Sequence, residues 1–227
     1  MTTYVYLKKP VRTSLRPQSV FLSSLFFSGG AFLLFLVIWP IFSFEILMTP
    51  KLSAKTVSPL PEKQILGVQT DLTQASNWFP QALQRNSPSK ITSYTLSIPK
   101  LRVKDATVVI GSNDLSKNLI QWGGTSLPGE LGNTVIFGHS VLPAFFDPKN
   151  YMTIFSTLPT LKEKDEIYVY FDGITYLYRV TEMRVVAPED LSVLESKNDQ
   201  SSLSLITCVP PGTYWKRLIV KAKLINI

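Results

Sequence analysis

One cysteine and one histidine occur among the 227 residues, and each stands where chemistry could use it. Cys208 lies in the run Thr207-Cys208-Val209-Pro210-Pro211-Gly212, and Arg217 follows nine positions later. His139 closes an apolar run 69 residues upstream. A thiol becomes a strong nucleophile once deprotonated, and a neighbouring imidazolium or guanidinium favours that form. The imidazole could then hand its proton to a departing amine. Attack on an amide also creates an oxyanion that needs fixed donors. The guanidinium of Arg217 offers five such donors in a rigid fork, which a lysine could not copy. Taken singly these residues have ordinary readings, a lone cysteine being most often a small buried apolar side chain. Together they support a Cys-His-Arg site and leave its substrate open.

Three strands must bring these side chains together. Leu203 to Cys208 and Arg217 to Ile225 read as β, and the eight residues Val209 to Lys216 joining them can bring Cys208 and Arg217 side by side. Thr134-Val135-Ile136-Phe137 is a buried strand that delivers Gly138-His139-Ser140 to a strand end. Further strands are Tyr94 to Ile98, Ala106 to Ile110, Ile167 to Phe171 and a long, bent or bulged Ile174 to Ala187. Asp172-Gly173 is a hairpin turn between the last two. A short helix is expected over Tyr151 to Leu158, and a loop with one helical turn over Pro188 to Ser202. Six or seven strands at this spacing, with little helix, indicate an all-β domain: a closed or nearly closed antiparallel barrel.

Val20 to Phe44 contains no charged side chain. As a helix its 25 residues would span about 38 Å, more than the ~30 Å bilayer core. A cleaved leader has a shorter apolar region, and Leu52-Ser53-Ala54 matches a cleavage site poorly. Lys8, Lys9, Arg12 and Arg16 precede the span and Glu45 follows it, which predicts a cytoplasmic N-terminus and an outside domain. The expected layout is therefore a basic cytoplasmic tail over 1–19, a membrane anchor over 20–44, an extracellular linker over 45–92 and the β-barrel over 93–227.

The formal charge of +7 owes much to that tail, because residues beyond it carry 19 basic against 16 acidic side chains. No nucleic-acid footprint remains. A single cysteine outside the membrane cannot form an internal disulfide, and its thiol must persist where oxidation threatens. Within the linker, Asp71-Leu72-Thr73-Gln74 fits an N-cap with a glutamine three residues on. Leu72, Ala75, Trp78, Phe79, Ala82 and Leu83 then recur near helical spacing. Two readings stay open: a short amphipathic helix docked on the main domain, or a cover of Trp78-Phe79 over the active groove.

Residues 94 to 225 resemble the sortases, membrane-anchored cysteine transpeptidases of bacterial surfaces. The resemblance rests on ordered pieces: Leu127-Pro128-Gly129-Glu130, then Gly132-Asn133-Thr134-Val135-Ile136-Phe137-Gly138-His139-Ser140, then Val185-Val186-Ala187-Pro188-Glu189-Asp190-Leu191. Leu205-Ile206-Thr207-Cys208 and Arg217-Leu218-Ile219-Val220 complete it. It implies the eight-stranded sortase β-barrel, with Cys208 attacking an LPXTG-like sorting signal to form a thioacyl enzyme. It further implies His139 as acid and then base, Arg217 as oxyanion partner and Thr207 as a substrate-holding residue. The loop 188–202 would wall the groove. The acceptor would be an amine of a cell-wall precursor or a pilin lysine. No cofactor and no metal are implied, since no acidic cluster marks a calcium site. The chain ending at Ile227 without a second span suggests a housekeeping or single-anchor type. The competing reading is a non-catalytic scaffold of the same shape that binds wall polymer or a partner protein. An L,D-transpeptidase is set aside, because its arginine two residues past the cysteine is missing here.

Overall fold

The computed structural model describes residues 17–52, 71, 73–79, 90–194 and 200–225. The chain divides into two units at Trp39/Pro40. In the first lies most of helix α1 (Pro17–Ser43), whose residues 21–39 are exposed and mostly apolar all round. Phe21–Met48 is long and apolar enough to cross a membrane by length and composition. Pro40 sits inside α1, where it can donate no backbone hydrogen bond. A π-helical turn, Phe44–Met48, and a short helix α2, Thr49–Leu52, follow it. Pro40 to Leu52 counts with the second unit, and Phe44 is buried there among the core residues.

Eight strands build that unit: β1 (Ser93–Ile98), β2 (Val103–Ile110), β3 (Leu119–Gln121), β4 (Gly132–Phe137), β5 (Glu166–Phe171), β6 (Ile174–Val186), β7 (Ser201–Val209) and β8 (Lys216–Leu224). They close into one barrel in the order β1-β2-β3-β4-β7-β8-β6-β5. The eight-stranded barrel implied by the resemblance is thus present. Its ladders are not all antiparallel, however: β2–β3 and β4–β7 run parallel. The physical reason is connection length, since a parallel partner cannot be reached by a tight turn. β2 and β3 are separated by Gly111 to Asn118, and β5 and β6 intervene between β4 and β7.

Several local expectations are met. The β5–β6 hairpin turns at Asp172 (φ 51°) and Gly173 (φ 77°), the paired positive φ values of a tight two-residue turn. The long strand β6 shifts register between Val180 and Glu182 where it pairs with β8, the bulge anticipated for so long a run. Two differ. Tyr151–Thr157 forms successive turns with only a 3-10 turn, Leu158–Thr160, after them. Ile154 and Phe155 are drawn into the core there, and Pro159 denies the next turn a donor. The expected helix near residue 72 is a single 3-10 turn, Ala75–Asn77. Asp71 accepts from the backbone and hydroxyl of Thr73 rather than capping a helix; Leu72, Ala82 and Leu83 lie outside the described residues.

Alternation along the strands divides the apolar residues into two cores. Leu203, Leu205 and Val209 of β7 join Leu218 and Val220 of β8 in the barrel interior, with Leu96, Val108, Ile136, Phe155 and Tyr178. Ile206 and Cys208 point the other way. They join Ile219, Val135, Phe137 and Ile120 on the outer face of β3, β4, β7 and β8, beneath Ala75, Trp78 and Phe79. Cys208 therefore lies on an outer face that a linker segment has made into a second core.

Candidate active site

Cys208 and Arg217 are direct partners in the β7–β8 ladder, so their side chains share one face. The single loop over 210–215 achieves this, as the spacing in the sequence allowed. His139 arrives from the parallel neighbour β4, and four bonds fix its turn. The Gly138 N–H donates to the Ile206 carbonyl (3.2 Å) and the Phe155 N–H to the His139 carbonyl (3.0 Å). The Thr207 hydroxyl donates to the Gly138 carbonyl (2.7 Å), and the Ser140 hydroxyl to the Cys208 carbonyl (2.7 Å). Gly138 is required by close approach: a Cβ there would lie 2.5 Å from the Phe155 ring and 2.7 Å from Leu119. The structure thus brings His139, Cys208 and Arg217 to one end of adjacent strands.

Thr207 stands next to Cys208 in β7 but on the opposite face of the strand. It pairs with Leu218 of the interior core, is fully buried, and spends its hydroxyl on Gly138. Neighbours on a strand face opposite ways, so Thr207 turns away from the Cys208 face. Its observed work is to hold the turn that presents His139.

A cover lies over the three. Trp78 and Phe79 are fully buried, against Phe137 at 5.6 and 5.8 Å between ring centroids. The Trp78 ring meets the His139 ring edge-on at 5.7 Å, and the Arg217 guanidinium stands 5.4 Å from its centroid. Arg217 donates from Nη2 to the Trp78 carbonyl (3.2 Å) and from Nη1 to the Tyr214 carbonyl (3.0 Å). Of the two readings left open for this segment, the cover is the one observed. Asn113, in the β2–β3 connection, fastens it. Its Oδ1 accepts from the Ser76 N–H (2.7 Å), and its Nδ2 donates to Gln74 Oε1 (2.7 Å) and Ser76 Oγ (3.0 Å). The Asn113 carbonyl accepts from the Ala75 N–H, and the Leu115 N–H donates to the Thr73 carbonyl. Nothing in the sequence singled out Asn113, because its partners come from a segment 37 to 39 residues earlier.

Burial under this cover sets the protonation states. His139 is 7% exposed, and desolvation lowers its pKa to about 4, against weaker opposing pulls from Asp71 and Asp114. Burial also pushes the Cys208 thiol up, and the nearby Arg217 charge only partly offsets this. Both groups are neutral at pH 7. Two buried atoms, His139 Nε2 and Arg217 Nε, have no hydrogen-bond partner. An unpaired buried nitrogen is costly, and these two belong to side chains that both meet the Trp78 ring.

Other places are poorer candidates. A groove of about 380 Å³ lies across the barrel on β1, β2, β5 and β6, lined by Thr95, Ser97, Asp105, Tyr168, Tyr170 and Thr175. Neither the cysteine nor the histidine lines it. Among the described residues, no group of three His, Cys, Asp or Glu side chains could hold a metal ion.

Comparison with known proteins follows the same contour. Residues 96–225 match the sequence model of the sortase domain. Sortase A of Bacillus anthracis is 27% identical over 161 residues, which are 70% of this chain and 68% of that protein. A Clostridium perfringens sortase D5 transpeptidase superposes with a TM-score of 0.51 at 29% identity, covering 60% of this chain and 79% of its own. A lid mutant of sortase A from Corynebacterium diphtheriae gives 0.52 at 29%, covering 67% and 77%.

Proposed function

This chain belongs to the sortase family and is a cysteine transpeptidase of surface proteins, and from that premise we propose how its own residues carry out the transfer. Catalysis disposes of the non-catalytic scaffold reading. In the proposed cycle the cover first leaves, and an LPXTG-like sorting signal takes its place. Water and substrate polar groups then replace the apolar rings around Cys208 and His139. The burial that kept both neutral relaxes, the Cys208 thiol passes its proton to His139, and the Arg217 charge favours the resulting thiolate.

Cys208 Sγ attacks the carbonyl carbon after the threonine of the signal. The carbonyl oxygen becomes an oxyanion facing the Arg217 fork, whose Nη2 is released from the Trp78 carbonyl when the cover departs. His139 gives its proton to the departing amine as the C–N bond breaks, which leaves a thioacyl enzyme. An incoming amine loses a proton to His139, attacks the thioester and expels the Cys208 thiolate. The net change is exchange of one amine for another on the same acyl group. Thr207 acts through the Gly138 carbonyl, keeping His139 in line. The acceptor is an amine of a cell-wall precursor or a pilin lysine, and the domain works outside the membrane behind its N-terminal anchor.

The observation that carries this reading is the pairing of Cys208 with Arg217 on one face, beside the His139 turn. The cover is supported by Trp78 occupying the Arg217 fork, and a related sortase A has been solved as a lid mutant. The test is to give the full chain an LPXTG peptide and a soluble amine and to follow the peptide–amine product. Product should form with wild type and vanish in Cys208→Ala. Equal turnover in both would end the proposal.

A further inference from the structure

The β7–β8 loop carries a feature that transpeptidation does not use. Tyr214 and Trp215 are each 58% exposed, side by side, in a unit whose other two tryptophans, Trp78 and Trp122, are buried. Beside them, Lys216 Nζ makes an ion pair with Glu45, at 3.0 Å to Oε2 and 3.2 Å to Oε1. Glu45 is the first charged residue after the apolar helix, two positions past the end of α1.

That ion pair fixes where the two rings stand. Phe44 is buried among the barrel core residues and Glu45 follows it, so the unbroken uncharged stretch of the helix ends there. The 23 residues Phe21 to Ser43 rise about 34 Å as a helix, close to the ~30 Å hydrocarbon thickness. Glu45 then falls in the headgroup layer, and Lys216 is held against it. Tryptophan and tyrosine are the residues that favour this layer, each having an apolar body and one polar tip.

We propose that the β7–β8 loop rests on the lipid bilayer, with Trp215 and Tyr214 set in its interfacial layer. This rests on reading the N-terminal helix as a membrane anchor, and it adds a second point of contact to that anchor. The occupant is the membrane because the loop is tied to the residue where the chain leaves it. Cys208 and Arg217 stand at the base of this same loop, so the site opens within a loop's length of any substrate tethered to that membrane.

The experiment uses the full chain with Trp39→Phe, which removes the tryptophan inside the span. It is reconstituted in phosphatidylcholine–phosphatidylglycerol vesicles with and without dibrominated acyl chains, whose bromines quench nearby indoles. Brominated lipid is expected to remove the share of emission that Trp215→Ser removes, and to have little further effect in the Trp39→Phe/Trp215→Ser protein. Absence of quenching overturns the proposal, as does equal quenching with Trp215 gone. Shielding of Trp215 from aqueous acrylamide that grows with protein density, without lipid quenching, would instead assign the rings to a second copy. Acylation of Cys208 by a soluble peptide should be unchanged in Trp215→Ser, and a tenfold fall would make Trp215 a substrate contact, which also overturns the proposal. If Cys208 never acylates, the transpeptidase mechanism fails while the lipid readout still decides this one.

Discussion

Replacing Asn113 with alanine isolates the cover from the chemistry, because Asn113 touches neither Cys208, His139 nor Arg217. The change removes three side-chain hydrogen bonds to Gln74 and Ser76. It leaves the backbone pairs Ala75–Asn113 and Leu115–Thr73 intact. At about 1 kcal/mol net for each bond, and less than additive, the closed state loses roughly 2 kcal/mol. At about 1.4 kcal/mol per factor of ten, the open population rises roughly 30-fold. Iodoacetamide reaches Cys208 only from the open state, so alkylation of the native protein should speed up by that factor. Trp78→Ala removes a fully buried indole, a loss of about 3–5 kcal/mol, and should accelerate alkylation by on the order of 10² or more. The apparent thiol pKa in the rate–pH profile should also fall in Trp78→Ala, because burial is what raises it. Unchanged rates in both variants would refute the idea that this segment seals the sulfur.

Three further outcomes are expected. His139 has its pKa lowered to about 4 in the fold against 6.5 when free, so between those values the unfolded chain binds more protons and stability rises with pH. Denaturant titrations should therefore show wild type losing about 2 kcal/mol from this group between pH 7 and pH 5, and His139→Gln escaping that part. Arg217→Lys should fold normally yet lose about 100-fold in kcat/KM for peptide transfer, because one ammonium cannot reproduce the fork; near-wild-type turnover would remove Arg217 from the mechanism. Gly138→Ala forces a Cβ against Phe155 and Leu119 and should cost about 1–3 kcal/mol of stability in a thermal melt. Activity should fall with it as the His139 turn shifts.

What the sequence could reveal depended on how local the signal was. The Cys208–Arg217 pairing was legible because a loop of eight residues between two apolar runs fixes a register. The Asp172-Gly173 turn and the bulge in β6 were legible for similar reasons. Strand β3 was not seen, since Leu119–Gln121 is three residues long and owes its pairing to β2 and β4. The parallel ladders were equally hidden, being set by the order in which distant strands close the barrel. For Trp78 the period of apolar residues pointed to an amphipathic helix. Fit over Phe137, His139 and Arg217 decided the conformation instead, and no pattern within the segment records those partners. Thr207 shows the converse limit. Its expected role toward substrate came from the resemblance alone, while its bond to the Gly138 carbonyl joins residues 69 apart in the chain and no local pattern records it.

The claim beneath all of this is that Cys208 becomes a nucleophile once Trp78 gives way to a sorting signal. Its most direct test is intact-protein mass spectrometry of the full chain after exposure to an LPXTG peptide without an amine acceptor. The account requires a mass increase equal to the peptide's acyl portion, located on Cys208, absent from Cys208→Ala and faster to appear in Asn113→Ala than in wild type. A protein that stays unmodified in wild type and Asn113→Ala alike, or an adduct on another residue, would contradict it.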